Sequence, residues 1–158
     1  MTHPACRPLL STRVAPQWVD YNGHMNDAAF ALVFSRAVEA LLDRIDLDAA
    51  GRERHGYTVY TLETHLCYLR EACREQPLEI DVTLLDRDTK RLHVFFTLRD
   101  EAGEALATSE QMLMGIDTAS GRPGPWPEST DRALGAFPLT PASAWPVQAG
   151  RHIAIRRR

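Results

Sequence analysis

A change of hydrophobic period near residue 59 limits, more than any other feature, the folds that this sequence can adopt. Before it, apolar residues from Phe30 to Ile45 recur at spacings of three and four, which predicts an amphipathic helix of about five turns. Beyond it, apolar and polar residues alternate in consecutive runs, which predicts strands. Between the two regions, Gly51 and Gly56 are predicted to bracket a charged loop.

Short turn-like segments separate the four predicted strands that follow the helix. They lie at residues 75–77, 86–90 and 100–103, and such short connections join neighbouring antiparallel strands. A further strand over Ser11–Ala15, stopped by Pro16, gives the order β-α-β-β-β-β. We therefore predict an α+β fold in which an antiparallel sheet of about five strands wraps on one long central helix.

The composition changes after Ile116, where glycine and proline become frequent. We expect one domain over residues 11–117, followed by an irregular, proline-rich C-terminal tail over residues 118–158 with a short helix near Glu128 to Leu134. The tail ends in Arg156-Arg157-Arg158. These arginines are either solvated or in contact with a phosphorylated ligand.

Charge and length exclude several functional classes. The 158 residues carry 18 basic and 21 acidic side chains, a net charge of −3, which does not support binding of nucleic acid by bulk electrostatics. No apolar run approaches the ~20 residues of a membrane span, and the N-terminus does not have the apolar core of a secretory signal. Three cysteines without metal-type spacing favour a reducing compartment. We expect a cytoplasmic protein that binds no metal, nucleic acid or membrane.

The segment from Asp20 to Asn26 is the leading candidate for a functional site. Asp20 and His24 are titratable, Gly23 permits close approach of a ligand to the backbone, and the following helix offers unpaired N–H groups. The alternative is that Asp20 and Asn26 only cap turns, while His24 is an ordinary surface residue.

Two glutamates of the predicted sheet are also of interest. Alternation places Glu63 on the strand face of Thr61 and His65, where it is either a functional carboxylate or solvent-facing. Glu110 shares its parity with Leu106, and also with Met112 and Met114, so a regular strand would bury it. Either a bulge turns Glu110 outward or it has a buried partner.

These elements and motifs resemble those of a known family. The order β-α-β-β-β-β, with Asp-x-Asn-Gly-His-Met-Asn before the helix, resembles the hotdog-fold acyl-CoA thioesterases of the 4-hydroxybenzoyl-CoA thioesterase type, over about residues 11–117. The Asp-x-Asn-x-His stretch is also similar to that of plant acyl-carrier-protein thioesterases. Three runs in particular look like betainyl-CoA thioesterases of bacterial carnitine breakdown: VDYNGHMNDAAFALVFSRA, YTVYTLETHLCYLREA and ATSEQMLMGID.

The resemblance implies catalytic roles for four side chains. Asp20 would be the general base or the nucleophile, and Asn22 and His24 would orient the thioester or the attacking water. Glu63 is the second candidate for the carboxylate. Backbone N–H groups near His24 and Met25 would form the oxyanion hole. No metal and no cofactor is implied.

A betainyl group carries a quaternary ammonium, which binds to aromatic faces. Glu63 could face such a cation instead of acting as base. The residues expected to contact substrate are Trp18, Tyr21, Gly23, Met25 and Tyr60.

The expected function is hydrolysis of a short cationic acyl-CoA, such as betainyl-CoA, to glycine betaine and CoA. Alternatives are a hotdog thioesterase for another short or aromatic acyl-CoA, an enoyl-thioester dehydratase, and a non-catalytic acyl-CoA-binding subunit. A five-stranded sheet on one helix leaves edge strands and an outer face exposed, and hotdog relatives pair their sheets across a two-fold axis. We therefore expect a homodimer or a dimer of dimers.

Overall fold

The computed structural model describes residues 7–157. Within that range, strands and helices follow one another in the order β1-α1-α2-β2-β3-β4-β5-β6-α3. The strands are β1 (Leu10–Arg13), β2 (Tyr57–Tyr68), β3 (Pro77–Arg87), β4 (Arg91–Arg99), β5 (Ala105–Asp117) and β6 (Arg122–Pro123). The helices are α1 (Asp27–Arg44), α2 (Ala49–His55) and α3 (Glu128–Gly135), and none in the described range is long and apolar enough to cross a membrane.

Helix α1 confirms the long helix that the 3.6-residue periodicity predicts. Asn26 caps its N-terminus, because the Asn26 side-chain oxygen accepts the Ala29 N–H at 2.9 Å. Arg44 lies in the last turn, where a cation complements the helix dipole. One face of the helix is buried, and it consists of Ala29, Phe30, Val33, Phe34, Ala37, Val38, Leu41 and Leu42.

The five main strands form one antiparallel sheet in the order β1-β3-β4-β5-β2, with β6 paired to β5. Helix α1 packs on one face of this sheet, which we call the inner face, and the ring centroids of Phe34 and Phe96 are 6.5 Å apart. The opposite face is the outer face. The chain leaves the sheet at the β1 edge and returns at the β2 edge, so α1 spans the sheet. The predicted α+β arrangement is confirmed.

The charged loop predicted between Gly51 and Gly56 is wrong, because this stretch is helix α2. The Asp48 carboxylate accepts the Gly51 N–H at 2.8 Å and caps the first turn. Gly56 ends the helix at φ +58°, a left-handed conformation that glycine adopts without strain. The helix has seven residues and no apolar stripe, so periodicity could not indicate it.

Strand β2 contains a bulge that changes which side chains share a face. Thr61 pairs with Leu113, whereas Glu63 pairs with Met112, so Leu62 has no cross-strand partner. Leu113 lies in the core and Met112 lies on the outer face, and cross-strand partners share a face. Thr61 therefore faces α1, while Glu63 is exposed on the outer face. The prediction that Thr61 and Glu63 share a face is wrong.

Glu110 has both features that the sequence left as alternatives. In the pairing of β4 with β5, Leu98 is opposite Ala107 and Arg99 is opposite Ala105, so Leu106 is bulged. The bulge puts Leu106 into the core and Glu110 onto the outer face, although their parity is the same. Glu110 is also partnered there, as its carboxylate oxygen is 2.7 Å from the imidazole of His93.

The C-terminal segment, residues 136–157, packs across the outer face. Its Thr140 N–H donates to the Leu84 carbonyl at 3.0 Å, beside the part of β3 that β1 does not cover. Farther along, the Trp145 ring meets His93 edge-on at 5.2 Å. The Gly150 N–H then donates to the Glu110 carboxylate on β5. The short helix predicted near Glu128 is confirmed as α3, and the domain boundary after residue 117 stays a prediction.

Candidate active site

The loop between β1 and α1 holds Asp20 and His24 in a tight turn. The Asp20 N–H donates to the His24 carbonyl at 2.9 Å, and the Gly23 N–H donates to the Asp20 carbonyl at 3.0 Å. Gly23 has φ +80°, which explains the glycine at this position. Asp20 Oδ1 accepts the Asn22 N–H at 2.8 Å and lies 3.4 Å from the backbone nitrogen of His24. Asp20 Oδ2 has no hydrogen-bond partner within residues 7–157.

Two anchors fix this loop to the rest of the fold. Both the N–H and the side-chain amide of Asn26 donate to the Trp18 carbonyl, at 2.9 and 3.0 Å. The Met25 N–H donates to the Ala72 carbonyl at 2.8 Å. The Trp18 ring is only 8% exposed, and the Arg36 guanidinium lies 5.1 Å from its centroid. The Met25 N–H is therefore occupied within the protein, and an oxyanion hole formed by N–H groups near His24 and Met25 stays a prediction.

The His24 imidazole is held by a carboxylate that the sequence did not point to. His24 Nε2 lies 3.0 Å from Glu71 Oε2, and a carboxylate accepts the hydrogen of that contact. When Nε2 carries the hydrogen, Nδ1 of the neutral ring is left as a proton acceptor. Glu71 lies in the connection after β2, far from His24 in sequence, and no local pattern predicts the pairing.

The first turn of α1 presents one free backbone donor. The Ala28 N–H is engaged by the Asp27 side chain and the Ala29 N–H by Asn26, each at 2.9 Å. The Asp27 N–H has no partner in the part of the chain that the structure describes. This N–H lies at the positive end of the helix dipole. It is the free donor at which negative charge on a ligand oxygen is best stabilised.

A cavity of about 310 Å³ opens beside this donor. Its lining comes from the start of α1, the end of β2 and the residues that follow: Met25, Asp27, Phe30, Tyr68, Leu69, Arg70 and Glu71. Phe30 and Tyr68 meet edge-to-face, with ring centroids 5.4 Å apart. Burial raises the pKa of Tyr68, and the Asp27 carboxylate raises it further, so the phenol stays neutral at physiological pH.

The structure brings together some of the predicted site residues and separates others. Trp18, Asn22, Gly23 and Met25 lie in the same loop as Asp20 and His24, and Tyr21 there is 97% exposed. Glu63 and Tyr60 lie on the outer face of β2 instead. Glu63 lines a cavity of about 220 Å³ together with His93 and Glu110. Among the described residues, the lining of this cavity includes no residue of the Asp20 loop.

A second polar cluster lies where α3 meets the connection between α1 and α2. The Ser129 hydroxyl donates to Asp46 Oδ2 at 2.5 Å, and His55 Nε2 is 2.9 Å from the same oxygen. Ser129 and Asp46 thus approach the same imidazole nitrogen, which is not the arrangement of a catalytic triad. The Ser129 hydroxyl above all, then His55 and Arg54, hold the pKa of Asp46 well below its usual range. The cluster ties α3 to the fold.

Known proteins are similar to this chain over most of its length. The family model of the thioesterase-like superfamily matches residues 14–134. A betainyl-CoA thioesterase of Pseudomonas aeruginosa is 44% identical over 116 residues, which are 73% of this chain and 73% of that protein. An L-carnitine dehydrogenase/betainyl-CoA thioesterase of Rhizobium meliloti is 38% identical over 153 residues, 94% of this chain, and the chain spans 30% of that protein's length.

A solved structure shows the same fold with the CoA part of such substrates. It is the protein SAV2348 from Staphylococcus aureus in complex with CoA, which superposes with a TM-score of 0.86 at 34% sequence identity. The alignment covers 93% of this chain and 94% of that one. The similarity therefore extends over nearly all of both chains.

Proposed function

This chain belongs to the thioesterase-like superfamily and is an acyl-CoA thioesterase, and we propose that its substrate is betainyl-CoA, which it hydrolyses to glycine betaine and CoA. The observation that carries the proposal is that Asp27 and Glu71 line one cavity, and that three groups suited to thioester hydrolysis lie in the loop before α1, against Glu71, and at the first residue of α1. They are the Asp20 carboxylate, the His24 imidazole held by Glu71, and the free N–H of Asp27. The named activities of the Pseudomonas aeruginosa and Rhizobium meliloti relatives support this choice of acyl group.

In the proposed mechanism, Asp20 acts as the general base. Its Oδ2 takes a proton from water, and the water oxygen attacks the thioester carbon. The Asp27 N–H stabilises the oxyanion that forms, at the positive end of α1. The C–S bond then breaks, its electron pair goes to sulfur, and the proton on Asp20 passes to the CoA thiolate. Direct attack by Asp20 is the alternative, and incorporation of ¹⁸O from labelled water into the Asp20 side chain would identify it.

His24 and Asn22 orient the reactants in this mechanism. With Nε2 bound to Glu71, His24 Nδ1 can accept a hydrogen from the attacking water or from the amide groups of the pantetheine arm. The Asn22 side chain is exposed at the tip of the turn. Both residues thus contribute to orientation, and Asp20 carries the proton.

We propose a homodimer joined through β2. This strand is a free edge of the sheet, and two apolar side chains on it, Tyr60 and Leu62, are 54% and 51% exposed. Next to it, a cavity of about 650 Å³ between α1 and β2 is lined partly by Phe34 and Val38. A second copy that pairs its own β2 antiparallel would cover both features.

The free thiols of Cys67 and Cys73 support a cytoplasmic location.

The test is release of free thiol from acyl-CoA esters by the full chain. We expect turnover of betainyl-CoA, with slower turnover of acetyl-CoA and benzoyl-CoA. Faster hydrolysis of benzoyl-CoA would reassign the acyl group but leave the thioesterase in place. Binding of all three esters without thiol release would indicate a non-catalytic acyl-CoA-binding subunit and refute the proposal.

A further inference from the structure

We propose that the cavity at the start of α1, lined by Asp27, Phe30, Tyr68 and Glu71, binds the quaternary ammonium of the acyl group. The inference rests on the proposed function and deepens it, because it names the residues that recognise the cation. This cation site differs from the one expected from the sequence, which includes Tyr60 and Glu63.

The covalent structure of the substrate requires a cation site next to the reacting carbon. In a betainyl thioester, one methylene separates the nitrogen from the carbonyl carbon, as in an amino acid, so these two atoms are about 2.5 Å apart. The cation must therefore lie within about the length of one side chain from the N–H that stabilises the oxyanion. Asp27 meets this requirement, because its N–H is the free donor and the residue lines the cavity.

The lining has the two kinds of group that attract a quaternary ammonium. Phe30 and Tyr68 supply aromatic rings, and Asp27 and Glu71 supply carboxylates. The trimethylammonium group has no N–H to donate, so ring faces and through-space charge are the attractions available to it. The combination fits a bulky cation better than a small hydrated one.

The one basic residue in the lining is drawn away from the cavity. The Arg70 guanidinium lies 3.4 Å from the Glu104 carboxylate, across the neighbouring turn. Its charge is thus partly balanced by Glu104, while the two acidic residues of the lining, Asp27 and Glu71, have no arginine or lysine partner among the described residues. Glu71 also binds His24, so the same carboxylate borders both the cation and the catalytic loop.

The outer-face residues fit the requirement poorly. Tyr60 and Glu63 lie on the face of the sheet that α1 does not contact, and the cavity there contains no residue of the Asp20 loop.

The test compares betainyl-CoA with 3,3-dimethylbutanoyl-CoA, in which a tert-butyl group replaces trimethylammonium with the same shape and no charge. We expect kcat/KM of the unmodified protein to favour the cation at least about tenfold. Asp27→Asn retains the backbone N–H and an oxygen for the Ala28 N–H, and Tyr68→Leu removes one ring. Each should reduce the ratio of the two kcat/KM values to about threefold or less.

The matched control is Asp43→Asn, the same substitution at an exposed position near the other end of α1, and it should leave the preference unchanged. Circular dichroism spectra and melting temperatures verify that each variant is folded. A preference that survives both Asp27→Asn and Tyr68→Leu, or that is lost only in Tyr60→Leu or Glu63→Gln, overturns this inference. Absence of thiol release from either ester by the unmodified protein would instead refute the proposed function.

Discussion

The imidazole Nε2 of His24 lies 3.0 Å from the Glu71 carboxylate, and this contact joins the loop before α1 to the segment after β2. The backbone joins the same two segments, through the Met25 N–H and the Ala72 carbonyl at 2.8 Å. The loop is thus held twice, once by a backbone hydrogen bond and once by a pair of titratable side chains.

Removing the Glu71 carboxylate should impair catalysis without unfolding the protein. In Glu71→Ala the His24 ring loses the partner that fixes its orientation, and we expect kcat to fall by on the order of tenfold. Glu101→Ala, at an exposed turn, is the control. An unchanged kcat in Glu71→Ala would show that the pair is structural only.

Asp20→Asn tests the proposed base. The amide oxygen can still accept the Asn22 N–H, so the turn and the melting temperature should be retained. Steady-state thiol release should fall by on the order of 10²–10⁴, the scale of a lost acid–base group. Near-normal turnover would mean that Asp20 only caps the turn, and the equivalent Glu63→Gln variant would then be the next to measure.

Gly115→Ala should destabilise the fold. A Cβ at residue 115 would collide with the phenol of Tyr57, which is buried and donates to the Gly124 carbonyl at 2.7 Å. We expect a loss of about 1–3 kcal/mol in the free energy of unfolding, measured by urea titration. The control is Gly135→Ala, where a Cβ would meet open space. Equal stabilities of the two variants would contradict this packing.

The Asp46 cluster predicts a pH-dependent contribution to stability. Because the pKa of Asp46 is lowered in the folded state, its contribution is present above the usual pKa of an aspartate, about 3.9, and is lost as pH falls through the lower folded value. Asp46→Asn should therefore be less stable than the unmodified chain at neutral pH, and the difference should shrink in acid. Urea titrations of both proteins at neutral and acidic pH measure it, and a difference that grows in acid would contradict the prediction.

A charge at the free edge should disrupt the proposed dimer. Leu62→Lys places an ammonium at the bulge in the middle of β2, where a second strand would pair. We expect light scattering to give a dimer for the unmodified chain at micromolar concentration and a larger monomer fraction for the variant. The corresponding change at an exposed residue of the opposite edge, Ser11→Lys, should have no such effect. A monomeric unmodified chain would refute the dimer.

Periodicity predicts this fold well because burial itself is periodic. The alternation from Leu92 to Leu98 survives in β4, where the apolar set faces α1, and the stripe from Phe30 to Ile45 is buried. Periodicity does not indicate helix α2, because Asp48 and Gly56 define this helix through its caps and it has no apolar stripe.

The site could be predicted only as far as it is local in sequence. Asp20, Asn22 and His24 lie in one turn, and their residue types alone suggest chemistry. Glu71 and Tyr68 reach the same site from β2 and the residues that follow it, through the folding of the sheet onto α1. The position of the C-terminal segment is likewise not predictable from local sequence, because its contacts with the outer face include isolated hydrogen bonds and one ring contact.

The bulge at Leu62 reverses which residues of β2, odd-numbered or even-numbered, face α1. Before it, odd-numbered residues such as Val59 and Thr61 face α1, and after it, even-numbered residues such as Thr64 do. Deleting Leu62 alone would therefore restore one continuous alternation along β2. The side chains of one half of the strand would then have to move to the opposite faces of the sheet. The chemistry that β2 presents on each side of the sheet thus depends on one residue that has no partner across the strands.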